Sequence, residues 1–133
     1  MSRIFLSHSH RDAGLASRLR ASIVTLGADV FDPSEVLKSG GDFRKSILAA
    51  IRRSDAVIAL IASPEAAASS WMTYELGMAD AAGKEVVVLA SKDLATKDLP
   101  TDFASWRVIQ FDSAQLDRAA RAVLERLGIS AAA

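Results

Sequence analysis

Five short apolar segments punctuate the chain: residues 3–7 (RIFLS), 28–32 (ADVFD), 56–62 (AVIALIA), 85–90 (EVVVLA) and 107–111 (RVIQF). The third, and the fourth after Glu85, are aliphatic without alternation, which suits strands covered on both faces of a parallel sheet. Between the segments the apolar period lengthens to that of a helix. Leu15, Leu19, Ile23 and Leu26 recur at helical spacing before Gly27, and Phe43, Ile47 and Ile51 recur with Arg44, Lys45, Arg52 and Arg53 on the other faces. Trp71, Glu75, Met78 and Ala79 open a helix that stops at Gly83, and Leu116, Ala120, Val123, Leu124 and Leu127 mark a last one that stops at Gly128. A glycine just past the last periodic residue is a natural helix terminator. Strand and helix therefore alternate, which predicts an α/β fold: a flavodoxin-like, doubly wound, five-stranded parallel sheet of order 2-1-3-4-5 with helices on both faces. Residues 1–129 read as one domain and the Ala-rich residues 130–133 as a disordered tail or linker stub. Residues 91–105 are polar and weakly periodic, and Trp106 reads as a core or edge anchor.

Charge and composition narrow the functional classes. Sixteen Lys+Arg balance sixteen Asp+Glu, so no field favours nucleic acid or an acidic membrane as partner. The absence of cysteine excludes a disulfide frame, a thiolate zinc site and a Cys nucleophile. The longest apolar run, 56–62, is too short to span a bilayer, and the start MSRIFLSHSH lacks a signal-peptide pattern. A cytoplasmic domain is expected.

In such a sheet, ligands bind outside the carboxyl ends of the strands, near the switch in strand order. That nominates the loops 7–12, 32–41 and 62–70. The first contains no glycine before Gly14, so neither a dinucleotide GxGxxG nor a Walker loop is present. The acidic cluster of a phospho-acceptor receiver and the FMN loop of a flavodoxin are missing too. His8, His10 and Asp12 carry metal-compatible donors, but alternate loop residues need not converge. Asp12, just before a helical run, reads better as an N-cap, and no metal is expected. The informative stretch is 69–77 (SSWMTYELG). With Ser69 or Ser70 as N-cap, Trp71 and Glu75 sit one turn apart on one helical face, with Tyr74 beside them. A carboxylate beside an indole is poorly solvated, and its pKa rises if nothing positive compensates. Spacing alone leaves open whether Glu75 is a functional acid or a snorkelling residue next to core Trp71 and Met78.

The pieces IFLSHSHRD (4–12), GADVFDP (27–33), ILAAIRRSDAVIALIAS (47–63), WMTYELGMA (71–79) and GKEVVVL (83–89), in this order and spacing, resemble a TIR (Toll/interleukin-1 receptor) domain of the bacterial enzymatic type. The resemblance implies cleavage of the nicotinamide–ribose bond of NAD⁺, consumed as substrate and not held as cofactor, to give nicotinamide and ADP-ribose or a cyclic isomer. It implies a role in bacterial immune signalling or NAD⁺ depletion. It makes Glu75 the catalytic residue, a carboxylate that stabilises the cationic sugar, and gives Trp71 and Tyr74 the aromatic side of the pocket. Phe5, Leu6, Ser7, His8 and Phe31 complete the substrate site. Pro33, Ser34, Glu35, Lys38 and Gly40 fall in a loop that gates the site and mediates assembly with other TIR domains. Arg11, Lys38 and Arg44 are candidates for phosphate contact by location alone. Two further readings stay open: a non-catalytic adaptor acting through TIR–TIR contacts, and an enzyme like the nucleoside deoxyribosyltransferases.

Overall fold

Alternation of side chains along each strand sorts the aliphatic residues into two cores. The structure, a computed structural model, describes residues 2–33, 43–94 and 107–129. Its strands are β1 (Arg3–His8), β2 (Asp29–Phe31), β3 (Ala56–Ile61), β4 (Glu85–Ser91) and β5 (Arg107–Phe111). They pair in parallel throughout, in the order β2-β1-β3-β4-β5. The helices are α1 (Ala13–Thr25), α2 (Phe43–Arg53), α3 (Pro64–Ala67), α4 (Ser70–Ala81) and α5 (Leu116–Arg126).

Ile4, Leu6, Ile58, Leu60, Val87 and Leu89 point to one face of the sheet and pack with Leu19 and Ile23 of α1 and Ala120, Val123 and Leu124 of α5. Phe5, Val57, Ala59, Ile61, Val86 and Val88 point to the other and meet Ile47 and Ile51 of α2 and Met72, Leu76 and Ala79 of α4. The expected doubly wound sheet is therefore present, in the expected order. The central strands β3 and β4 are continuously apolar because both their faces are covered. Gly27 (φ 99°) and Gly83 (φ 72°) follow α1 and α4 in the left-handed conformation that ends a helix and that other residues adopt only at a cost.

Three boundaries differ from expectation in ways that matter for the site. β1 runs one residue further, so His8 is still part of the sheet. The segment expected to be a loop at 62–70 contains the short α3, started by Ser63, whose Oγ accepts the Ala66 N–H at 3.2 Å, with Pro64 in the first turn. The buried stripe of α4 is Met72, Glu75, Leu76 and Ala79, not Trp71, Glu75, Met78 and Ala79. Trp71 and Met78 flank that stripe half-buried, and Glu75 sits in the middle of it. Residues 130–133 and Trp106 lie outside the described residues.

Candidate active site

Register and helix phase together bring one acid to the sheet. Ser7 shares a face of β1 with Phe5, the face on which α4 packs. Its hydroxyl donates to Glu75 Oε1 at 2.7 Å. Glu75 has no exposed surface, and its Oε2 has no hydrogen-bond partner among the described residues. A buried carboxylate oxygen without a donor is uncommon and costs free energy in proportion to its charge. Burial pushes the Glu75 carboxyl up to about 7, against the Ser7 hydrogen bond and the positive charge of His8, which favour ionisation; the charge of Asp32 adds to the rise. The acid is a component of the packed interior and not a snorkelling surface residue.

His8 closes β1 beside it. Its Nδ1 lies 2.9 Å from the Ser9 carbonyl oxygen, and its Nε2 lies 2.9 Å from both carboxylate oxygens of Asp32, which follows β2. Burial opposes charge on this ring, but Asp32, the Ser9 carbonyl and Glu75 outweigh it, and the His8 pKa is raised above 6.5.

The neighbouring rim is cross-linked by Asp12. It occupies the N-cap position of α1 but makes no capping bond there, contrary to the role expected of it. Its Oδ2 instead accepts from the Ala62 N–H at 3.2 Å, from Ser63 Oγ at 3.1 Å and from Ser9 Oγ at 3.3 Å, tying the exits of β1 and β3. Asp12→Ala is expected to lower stability by about 1–3 kcal/mol, because buried donors lose their acceptor; a urea unfolding curve checks it. With His8 turned to Asp32 and Asp12 turned to Ser63, no three His, Asp or Glu side chains gather as a metal site among the described residues.

A cavity of about 640 Å³ opens at this carboxyl end, lined by His8, Ser9, His10, Arg11, Pro33, Glu65, Ser69, Ser70 and Trp71 among others. Its size suits a small-molecule ligand. The N-terminus of α4 borders it, capped by Ser69, which accepts the Met72 N–H at 3.2 Å. Trp71 and Tyr74 form a tilted ring pair, centroids 5.7 Å apart, with Tyr74 largely exposed. Glu75 lies one helical turn from Trp71 and within electrostatic reach of His8, so two wall residues of the cavity adjoin it.

The predicted site residues thus divide. His8, Trp71 and Pro33 line the cavity; Ser7 and Glu75 are bonded to each other and Tyr74 pairs with Trp71, but these three are not part of its lining. Phe5 is buried on the Glu75 side of the sheet, stacked on Phe31 at 5.7 Å. Leu6 points to the opposite face, into the α1/α5 core, because successive strand residues alternate. Phe31 lines a different cavity of about 630 Å³ along the β2 edge, with Arg3, Lys45 and Arg53. Neither Glu75 nor His8 lines that second cavity. Ser34, Glu35, Lys38 and Gly40 lie outside the described residues. Asp32 was not among the predicted side chains; an acid closing β2 next to a histidine closing β1 is the signal that would have found it.

A family model described as TIR domain matches residues 4–127, nearly the whole chain. The chain belongs to the TIR domain family. No curated protein matches it. Among solved structures, it resembles a 2-deoxyribosyltransferase from Bacillus psychrosaccharolyticus (16% identity, 99% of this chain and 100% of that one, TM-score 0.72). It also resembles a CMP N-glycosidase from Clostridium botulinum (18%, 92% and 98%, TM-score 0.59) and a conserved protein from Enterococcus faecalis (19%, 93% and 99%, TM-score 0.68). At these identities the likeness is one of fold. TIR domains act as NAD⁺-cleaving enzymes or as adaptors, and commonly self-associate. No helix among the described residues of this TIR domain is long and apolar enough to cross a membrane.

Proposed function

We propose that this TIR domain is an NAD⁺ nucleosidase that breaks the nicotinamide–ribose bond and releases nicotinamide with ADP-ribose or a cyclic isomer of it. The observation that carries the reading is Glu75: a wholly buried carboxyl with one oxygen fixed by Ser7 and the other without a partner among the described residues. A module that only docks gains nothing from burying such a group.

The chemistry fits a cationic aglycone. Nicotinamide leaves NAD⁺ as a neutral ring, so no general acid is needed, and the positive charge moves from the pyridinium to the ribose. A preorganised carboxylate in a dry site stabilises that oxocarbenium-like sugar. The Glu75 carboxyl, poised near neutrality, ionises more readily when a cation arrives beside it. Arg11 on the cavity wall, with the N-terminus of α4, offers positive potential to the diphosphate. Glu75 is wholly buried, so a wall residue of the cavity shifts as substrate reaches Oε2.

Two of the structural relatives are named for chemistry at the glycosidic bond of nucleosides or nucleotides, which is compatible with this reading. A neutral base, however, needs a proton to leave. Both nitrogens of His8 face acceptors, so Glu75 itself would have to give that proton while no carboxylate remained for the sugar. The test is chromatographic: the protein is incubated separately with NAD⁺, CMP and 2′-deoxynucleosides. Nicotinamide release from NAD⁺, with the other substrates unchanged, is the expected result. Release of free base from the nucleosides alone would transfer the assignment, and no turnover of any of them at high protein concentration would leave a TIR adaptor.

A further inference from the structure

The two ring nitrogens of His8 both face acceptors. The Ser9 carbonyl oxygen lies 2.9 Å from Nδ1, and the Asp32 carboxylate lies 2.9 Å from Nε2. A carbonyl never donates and an ionised carboxylate only accepts, so both contacts become hydrogen bonds only when the ring carries two protons. The arrangement thus favours the imidazolium form of a nearly buried ring, clamped between its own strand and the exit of β2.

We propose that the His8–Asp32 ion pair is a positioning device for Glu75: the imidazolium, locked in place by Asp32 and the Ser9 carbonyl, supplies the fixed positive charge against which Glu75 ionises. The inference rests on the reading of Glu75 as the acid that meets the substrate. Its physical basis is a cluster of groups: His8 follows Ser7 in β1, Ser7 holds Glu75, and Asp32 holds His8, so that the charge of His8 favours ionised Glu75 while that of Asp32 opposes it. Ser7 gives Glu75 its hydrogen bond but no charge. His10, Arg11 and Glu65 line the same cavity, and Asp12 is turned toward Ala62 and Ser63. Among the described residues, His8 is the cation whose charge acts on Glu75.

The sign of each change follows. With His8→Gln the positive charge disappears while Asp32 stays negative, so ionised Glu75 loses its attraction and keeps its repulsion; its titration moves to higher pH by about one unit or more. Adding Asp32→Asn removes the remaining repulsion, and the midpoint returns toward the wild-type value. Asp32→Asn alone deprives His8 of its partner and lowers the His8 midpoint by about one unit or more. A merely structural role for His8 would lower activity without moving either titration.

The experiment follows the Glu75 side-chain carboxyl carbon and the His8 ring by NMR across pH in the whole chain, with Glu75→Gln assigning the glutamate signal. The acid limb of kcat/KM for NAD⁺ is recorded in parallel. An upward shift in His8→Gln that the double variant reverses supports the proposal. Unchanged Glu75 titration in His8→Gln overturns it. If His8→Gln does not fold, the Asp32→Asn chain decides: a lowered His8 midpoint supports the clamp, and an unchanged one overturns it. If the wild type releases no nicotinamide while the titrations shift as described, the ion pair stands and the enzymatic reading falls.

Discussion

Glu75→Gln is expected to lower nicotinamide release from NAD⁺ by about 10²–10³-fold, with the fold intact. Gln keeps the shape and the acceptor oxygen that Ser7 holds at 2.7 Å. What it removes is the negative charge, so the loss reports electrostatics and not packing. Most of the loss is expected in kcat, because the sugar becomes cationic only as the bond breaks and the unpartnered Oε2 is the oxygen free to meet it. Affinity for the cationic substrate weakens as well. Chromatographic rates at saturating NAD⁺, with thermal unfolding as the control for fold, measure both. A variant within about three-fold of wild type would contradict a catalytic carboxylate, since one preorganised charged group in a dry site is worth far more than that.

Much of this architecture is legible in the chain. The unbroken aliphatic runs of β3 and β4 state that both faces are covered, and Gly27, Gly83 and Gly128 mark where three helices stop. The phase of α4 is harder to read. A helix wedged between sheet and neighbours takes its buried face from packing, and a stripe drawn through Trp71 and Met78 is about a third of a turn from the stripe through Met72 and Leu76 that is buried. Glu75 belongs to both, which is why spacing alone left its role open. Leu6 shows the converse: strand alternation fixes its direction, and a carry-over by motif placed it at the site when its side chain faces the α1/α5 core. The His8–Asp32 pair depends on two strand exits meeting across the sheet, a contact separated by 24 positions in sequence. Each residue alone reads as an ordinary loop polar group, so the ion pair is invisible until the parallel register of β1 and β2 is known.

Stability is expected to fall as pH rises from about 5 to 8, and Glu75→Gln is expected to abolish most of that fall. The Glu75 carboxyl stands at about 7 in the folded chain and has an ordinary value of 4.5. A group whose folded pKa is raised favours the folded state fully below its unfolded value and loses that contribution as pH climbs through the folded one. The window is therefore pH 4.5 to 7, and the loss above it is on the order of 3 kcal/mol. His8 acts with the same sign, its raised pKa adding stability below 6.5 that is lost at higher pH. Gln mimics the neutral acid and carries no ionisation cost. At pH 8 the variant should unfold about 5–10 °C above wild type, and at pH 4.5 the two should nearly coincide. Differential scanning calorimetry across this range checks it, and parallel curves for the two proteins would mean that Glu75 is not held near neutrality. The same substitution is thus expected to raise stability and abolish turnover together. Those two outcomes together would assign the carboxylate to the reaction and not to the stability of the fold.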